Sequence, residues 1–390
     1  AYEISLGLVG SEMCIRDSKN TNGIAIDKPF SDLLKWQRNK DDPVTTSIEV
    51  SNAWKKIDLD KDNNYSIWIG HSTFLIKKDG LTILTDPIFS ERASPLKRFG
   101  PKRLIPPSIS INELPKIDVV TVSHNHYDHL DIRSLKILYE LNPDIIFLIP
   151  KGDKNIFDKR NINNVYEFEW WQNFVIQNVE FTFTPVQHWS ARGLFDKNES
   201  LWGGWYIKNK DYAIYHAGDT GYSNDFLATK EKLGAPKYSF IPIGAYEPEW
   251  FMAASHVSPE DAIKIMLDLE SEYSFGMHWG TFTLTDEDTI EPKIRLNKAL
   301  KKANLPVKRI KKVLEGRPHV VDNMISGHID LVINTTDGAQ AIQDSFSLRR
   351  SALTHDIPYY TTVEGAKAAV RAIAAIREGP LEVVPLQSYL

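Results

Sequence analysis

The sequence predicts an α/β protein, and two features carry that prediction. Between Ile117 and His278, short apolar runs rich in β-branched and aromatic residues recur, each giving way to a loop that bears a histidine or an acid. In the C-terminal hundred residues, short apolar strands alternate with longer helical stretches, the pattern of parallel α/β units.

The first run, Ile117-Asp118-Val119-Val120-Thr121-Val122, leads into Ser123-His124-Asn125-His126-Tyr127-Asp128-His129. This puts four metal-competent side chains within six residues, in a chain that has only 11 histidines. Imidazole and carboxylate are the ligands that suit zinc and similar divalent ions. Two histidines one residue apart at a strand end can chelate one ion, which leaves Asp128 and His129 free for a second. The run Phe181 to Val186 ends at Gln187-His188-Trp189, and Tyr212 to Tyr215 leads into His216-Ala217-Gly218-Asp219-Thr220-Gly221. Tyr273 to Met277 ends at His278. Strand ends that present ligands to one rim are how a rigid scaffold positions chemistry.

The order HxHxDH, His, GDTG, His resembles the signature of the metallo-β-lactamase superfamily. The segments Trp68 to Ile76 (WIGHSTFLI), Leu84-Thr85-Asp86-Pro87, Gly100-Pro101-Lys102-Arg103 and Gln187-His188-Trp189-Ser190 are similar to one branch of it, as are Leu201 to Trp205 and Ile243 to Pro248. That branch is the N-acyl-phosphatidylethanolamine-hydrolysing phospholipase D family with its bacterial relatives, and the similarity covers about residues 25–305. The resemblance implies a four-layer αββα sandwich with a dinuclear metal site at one edge. It puts His124, His126 and His188 on one ion, Asp128, His129 and His278 on the other, and Asp219 between them. It implies two divalent ions, with zinc the one these ligand types favour, a hydroxide bridging them as nucleophile, and Asp128, Asp219 and His256 nearest the chemistry. The implied reaction is hydrolysis of a phosphodiester in an N-acyl-phosphatidylethanolamine-like lipid. A lactone or other small polar ester is the alternative, because hydroxide attack suits either electrophile. With a lipid or small phosphodiester as partner, contact with a membrane would be peripheral and the location cytoplasmic or at the inner membrane face.

Other residues leave alternatives open. His256 precedes a helix expected from Pro259 to Leu269; it either opens that helix or, by the resemblance, lies near the substrate phosphoryl group. His71 reads as support for a ligand or as packing, His216 as support for its strand end, and Asp86 before Pro87 as an ordinary turn, with support for a ligand as the alternative. Lys97, Arg98, Lys102 and Arg103 either meet phosphate or form a solvated loop. The segment from Tyr246 to Met252 either lines a substrate pocket or closes the sandwich.

Composition agrees with an enzyme of two domains. The chain has 390 residues, 42% of them hydrophobic. Its net charge of −5 gives no basic character that would point to nucleic acid. No apolar run approaches the ~20 residues needed to span a bilayer. The single cysteine, Cys14, excludes an internal disulfide.

The ends read as foreign to the hydrolase. Residues 1–18 begin without methionine, resemble translated adapter sequence and are expected to be a leader ahead of a hydrolase domain at 19–305. All ten tryptophans lie between Trp36 and Trp279, so the texture changes in the tail. There, Lys312 to His319, Ile333 to Gly338, Arg349 to Leu353 and Pro358 to Thr362 resemble the methylglyoxal-synthase-like end of the carbamoyl-phosphate synthase large subunit. The resemblance makes 306–390 an effector-binding regulatory module, with Lys312, Asn334, Thr335 and Thr336 on an effector phosphate. The family's first strand and phosphate loop are missing, so the module is expected to be truncated and the chain to be a chimera.

Overall fold

A computed structural model describes residues 18–303 except 24, 25, 27, 41, 47, 63 and 194, together with 324, 329–333 and 348–378. Lys312, Asn334, Thr335 and Thr336 lie outside the described residues, as do residues 1–17 with Cys14. The chain separates into two units, Ala1–Ala303 and Asn304–Leu390.

In the first unit, β1 (Asn64–Gly70), β2 (Thr73–Lys78) and β3 (Leu81–Thr85) form an antiparallel meander. Asp79 and Gly80 close the second hairpin, both with positive φ, the geometry that favours Asp-Gly in a two-residue turn. β4 (Val119–Thr121), β5 (Ile146–Pro150) and β6 (Val165–Phe168) then add in parallel to complete a six-stranded sheet. The second sheet has a similar layout. β7 (Asn173–Ile176), β8 (Val179–Thr184), β9 (Gly204–Lys208) and β10 (Ala213–His216) are antiparallel, and β11 (Tyr238–Pro242) and β12 (Tyr273–Met277) follow in parallel.

Side-chain alternation assembles these sheets into layers. Phe74, Ile76, Ile83, Val119 and Leu148 share one buried cluster with Phe181, Phe183, Trp205, Ile207 and Phe240 of the other sheet. Their neighbours Leu75, Leu84, Val120, Phe147 and Ile149 turn the other way and pack with Leu135, Leu138 and Phe157. Those three come from α2 (Ile132–Leu141) and α3 (Lys154–Asp158), which cover the outer face of the first sheet. Helices α4 (Asp225–Leu233) and α6 (Pro259–Asp268) supply Phe226, Ala262 and Ile265 on the second sheet's side. Strands covered on both faces read as continuous apolar runs, which is why the sequence shows runs and not alternation. The result is the expected αββα sandwich. Around it lie α1 (Phe30–Arg38), the single-turn α5 (Glu249–Met252) and α7 (Glu291–Lys302), which packs on α6.

This topology positions the site. β8, β10 and β12 run in the same direction, so the loops after them emerge at one edge of the second sheet. The loop after β4 meets them there, tied across the sandwich by Trp205 Nε1, which donates to the Val122 carbonyl (2.8 Å), and by Gly203 N–H to the Ser123 carbonyl (2.9 Å). Gly218 holds a positive φ, and a Cβ there would fall 2.6 Å from that of Ser123; only glycine lets the two loops approach so closely.

In the second unit, β13 (Val332–Ile333) and β14 (Tyr359–Tyr360) pair in parallel, and a helix runs from Val363 to Glu378. Met324, Val332 and Ala352 form its buried cluster. Among the described residues no helix is long and apolar enough to cross a membrane.

Candidate metal centre

The four loops bring seven sequence-predicted side chains together. His126 Nδ1 lies 2.9 Å from His124 Nε2 and 3.3 Å from His188 Nε2, so three imidazoles converge on one point. Asp128 Oδ2 stands 3.3 Å from His278 Nε2 and 3.5 Å from His129 Nε2, forming a second group. Asp219 Oδ2 reaches both: it is 3.2 and 3.0 Å from His129 and His278, and 3.9 and 4.0 Å from His124 and His188. His256 also belongs to the cluster, with Nδ1 3.8 Å from Asp219 Oδ2.

The donor set fits divalent cations. His126 Nε2, His129 Nε2, His278 Nε2, His256 Nδ1 and Asp219 Oδ1 are buried with no hydrogen-bond partner. Buried polar atoms are nearly always paired, and the unpaired nitrogens of His129, His278 and His256 all border Asp219, where a cation would satisfy them. Electrostatics point the same way. Burial first, then neighbouring imidazoles, hold His124 well below its ordinary range, and burial holds His188 down likewise; both stay neutral, the form that ligates. Burial also takes His126 down to about 4. Although burial opposes it, the charges of Asp219 and Asp128 push His278 up to about 9 and His129 well above its usual value. A field that attracts a proton so strongly attracts a metal ion too.

The candidate ligands are themselves held. Asp86 is fully buried; Oδ2 accepts from His129 Nδ1–H (2.7 Å) and from the Ser123 hydroxyl (2.6 Å), and Oδ1 from Ser123 N–H (2.7 Å). With the Ser123 hydroxyl committed to Asp86, His124 Nδ1–H donates to Ser123 Oγ (2.9 Å), leaving Nε2 for a metal. His188 Nδ1–H donates to the Ser255 carbonyl (2.9 Å). His71 Nε2–H donates to Asp128 Oδ2 (2.9 Å), and its ring lies 4.0 Å from that of His278. His71, Asp86 and His278 all hold positive φ, strain that persists only where the surroundings enforce it.

Of the two readings of Asp86, support for neighbouring groups therefore outweighs the ordinary turn; its only sequence signal was an acid at the end of a strand, as at the other candidate ligand loops. Asn20 gave no signal at all. Its buried Oδ1 accepts from the His188 backbone N–H (3.0 Å) and from Trp202 Nε1–H (3.1 Å), so residues 18–23 brace the ligand loop. His216 supports a strand end as expected, donating to the Ser72 carbonyl (2.9 Å). Of the basic stretch, Arg103 turns inward to the Ile88 carbonyl (2.5 Å), and Lys102 pairs with Glu91 (3.3 Å). Between Tyr246 and Met252 the segment mostly closes the sandwich: Phe251 and Met252 are buried, and Arg295 binds Glu247 and Glu249.

A second brace runs through Arg192, whose guanidinium donates to the Asn125 (2.6 Å) and Leu130 (2.9 Å) carbonyls. Asn125 Nδ2 donates to Asp153, a fully buried carboxyl that burial pushes up to about 7. A raised folded-state value means that Asp153 contributes stability below pH ~4 that is lost as pH climbs through about 7. The expected result is that Asp153→Asn, which cannot ionise, gains on the wild type by up to about 4 kcal/mol between pH 4 and 8. Denaturant melts at both ends of that range check it; parallel stability profiles would refute it.

Such a sandwich, with two ligand groups at one rim, defines a metal-dependent hydrolase. Residues 82–279 match the Beta-lactamase superfamily domain, and residues 297–361 match an MGS-like domain. The chain belongs to the metallo-β-lactamase superfamily, in its hydrolase unit, with N-acyl-phosphatidylethanolamine-hydrolyzing phospholipases D among its relatives. It is 38% identical to N-acyl-phosphatidylethanolamine-hydrolyzing phospholipase D 1 of Caenorhabditis elegans, over 60% of this chain and 69% of that protein. The mitochondrial enzyme of that name in Saccharomyces cerevisiae is also 38% identical, over 65% of this chain but only 55% of its own length. Among solved structures, the isothiocyanate hydrolase from Delia radicum gut bacteria shares the fold, with TM-score 0.50 and 16% identity over 62% of this chain and 92% of that one. The tail is 60% identical to the carbamoyl phosphate synthase large chain of Rhizobium meliloti, over 21% of this chain and 7% of that protein.

Proposed function

We propose that the hydrolase unit is a dinuclear phosphodiesterase of the phospholipase D type, acting on N-acyl-phosphatidylethanolamine-like lipids with two zinc ions. The observation that carries this reading is the placement of Asp219 within 4.0 Å of histidines from both ligand groups. The names of its two 38% identical relatives support the substrate class.

His124, His126 and His188 would hold one ion, Asp128, His129 and His278 the other, and Asp219 both. Bound there, divalent ions supply an acidified water and neutralise charge on the oxygens of the substrate. The chain's own residues set the rest. Asp86 and the Ser255 carbonyl fix the tautomers of His129 and His188, so each presents Nε2 inward. His71 holds Asp128 in position. His256 has a buried, unpaired Nδ1 beside Asp219, and burial takes it down to about 3, so it meets a phosphoryl or leaving oxygen as a neutral hydrogen-bond donor. A lipid substrate would bring the protein to a bilayer surface as a peripheral enzyme.

The test is metal content together with turnover of an N-acyl-phosphatidylethanolamine, an aryl phosphodiester and a lactone by the full chain. Two ions per chain with phosphodiester turnover support the reading. Lactone turnover alone would move the assignment to the small-ester class, and a folded protein that takes up no metal would end it.

A further inference from the structure

Lys28 stands at the rim of the candidate metal centre, beside Ser255. Its ammonium lies 3.3 Å from Ser255 Oγ, 3.7 Å from Met252 Sδ and 4.2 Å from the centre of the Phe251 ring. All three neighbours are uncharged, and among the described residues no carboxylate pairs with it. A partly buried cation with only a hydroxyl, a thioether and a ring face around it is a favourable place for an anion to complete the site.

Its position ties it to the chemistry. Ser255 gives its carbonyl to His188 Nδ1–H and precedes His256 in the chain. A second cation, Lys197, is close enough to act on Lys28 and lies 5.8 Å over the ring of Trp189, which in turn packs edge-on against His126. Burial, then Lys197, lower Lys28 to about 8.

We infer that Lys28 is a specificity-determining residue that receives the negative charge of an anionic ester at the rim of the metal centre. The inference rests on the phosphodiesterase reading for its natural ligand. A phosphodiester keeps a full negative charge at neutral pH, whereas a lactone or carboxylic ester has none for Lys28 to meet. Lys28 therefore discriminates between the two electrophiles that the metal ligands alone treat alike.

The test uses the full chain, with metal content measured in each variant. Lys28→Gln should lower the ratio of kcat/KM for an aryl phosphodiester to kcat/KM for a neutral aryl ester by at least about tenfold, and Lys28→Arg should restore most of it. Calorimetric titration with inorganic phosphate gives a readout apart from turnover: its Kd should rise by a similar factor in Lys28→Gln and not in Lys28→Arg. An unchanged ratio with an unchanged phosphate Kd would overturn the inference, as would equal weakening by Gln and Arg, which would mark a packing role. If the wild type turns over no phosphodiester, the proposed function fails by itself. The phosphate titration then still decides for or against Lys28.

Discussion

Asp219→Asn should reduce kcat/KM by about three orders of magnitude and leave the fold intact. The reasoning starts from charge. Among the described residues, Asp219 is the one carboxylate placed within 4.0 Å of His124, His129, His188 and His278 alike. Its burial is complete, and its charge is sustained because His129 and His278 offset that burial and keep it well below the usual carboxylate range. Asparagine keeps the shape and removes the charge, so packing is preserved while the shared ligand becomes a weak neutral one. Two cations held close together would repel, and a carboxylate shared by both, the role proposed for Asp219, would offset that repulsion. Loss of several kcal/mol of charge stabilisation corresponds to about 10³ in rate, at about 1.4 kcal/mol per tenfold. Metal analysis should show at most one ion per chain, and circular dichroism should match the wild type. Full metal content with wild-type turnover would exclude Asp219 as a shared ligand.

How much of this was legible depends on what kind of signal each residue leaves. The histidines of the candidate site announce themselves because their type is rare and they follow apolar strands. The two-layer core was legible only indirectly: strands such as β5 are buried on both faces, so period-two alternation is erased and the sequence shows runs. Strand limits shifted by a residue or two, as where the run from Phe181 to Val186 became β8 at Val179–Thr184, because pairing with β9 decides where the ladder ends. Asn20 could not have been found. It lies 168 positions from His188, and a lone asparagine in a polar stretch carries no trace of the backbone group it will meet. Arg103 misled in the opposite sense. It stands in a run of basic residues, yet its guanidinium caps the carbonyls of Ile88 and Ser90 and lies over Phe282. Sequence exposes chemistry that is concentrated in a motif, and hides support that is contributed by a single residue from far away.

Asp86 belongs to that second kind, and it has the second large expected effect. Asp86→Ala strips a buried carboxylate from three donors at once, the Ser123 N–H, the Ser123 hydroxyl and His129 Nδ1–H. Each donor is left desolvated and unpaired, so a loss of about 3–5 kcal/mol of stability is expected in denaturant melts. The functional consequence reaches both ligand groups, because Asp86 fixes His129 directly and His124 through Ser123. Metal affinity should fall by about 10- to 100-fold, as it does when the outer partner of a ligating histidine is lost. Ser123→Ala separates the two branches. It cuts the path to His124 and keeps the Asp86–His129 bond, so the His124 group should weaken while the His129 group holds its ion. Titration of the metal-free protein with zinc should then show two distinct affinities in Ser123→Ala, and two weakened sites in Asp86→Ala. Stability within 1 kcal/mol of the wild type and unchanged zinc affinity in Asp86→Ala would show that the ligands are held by their packing alone.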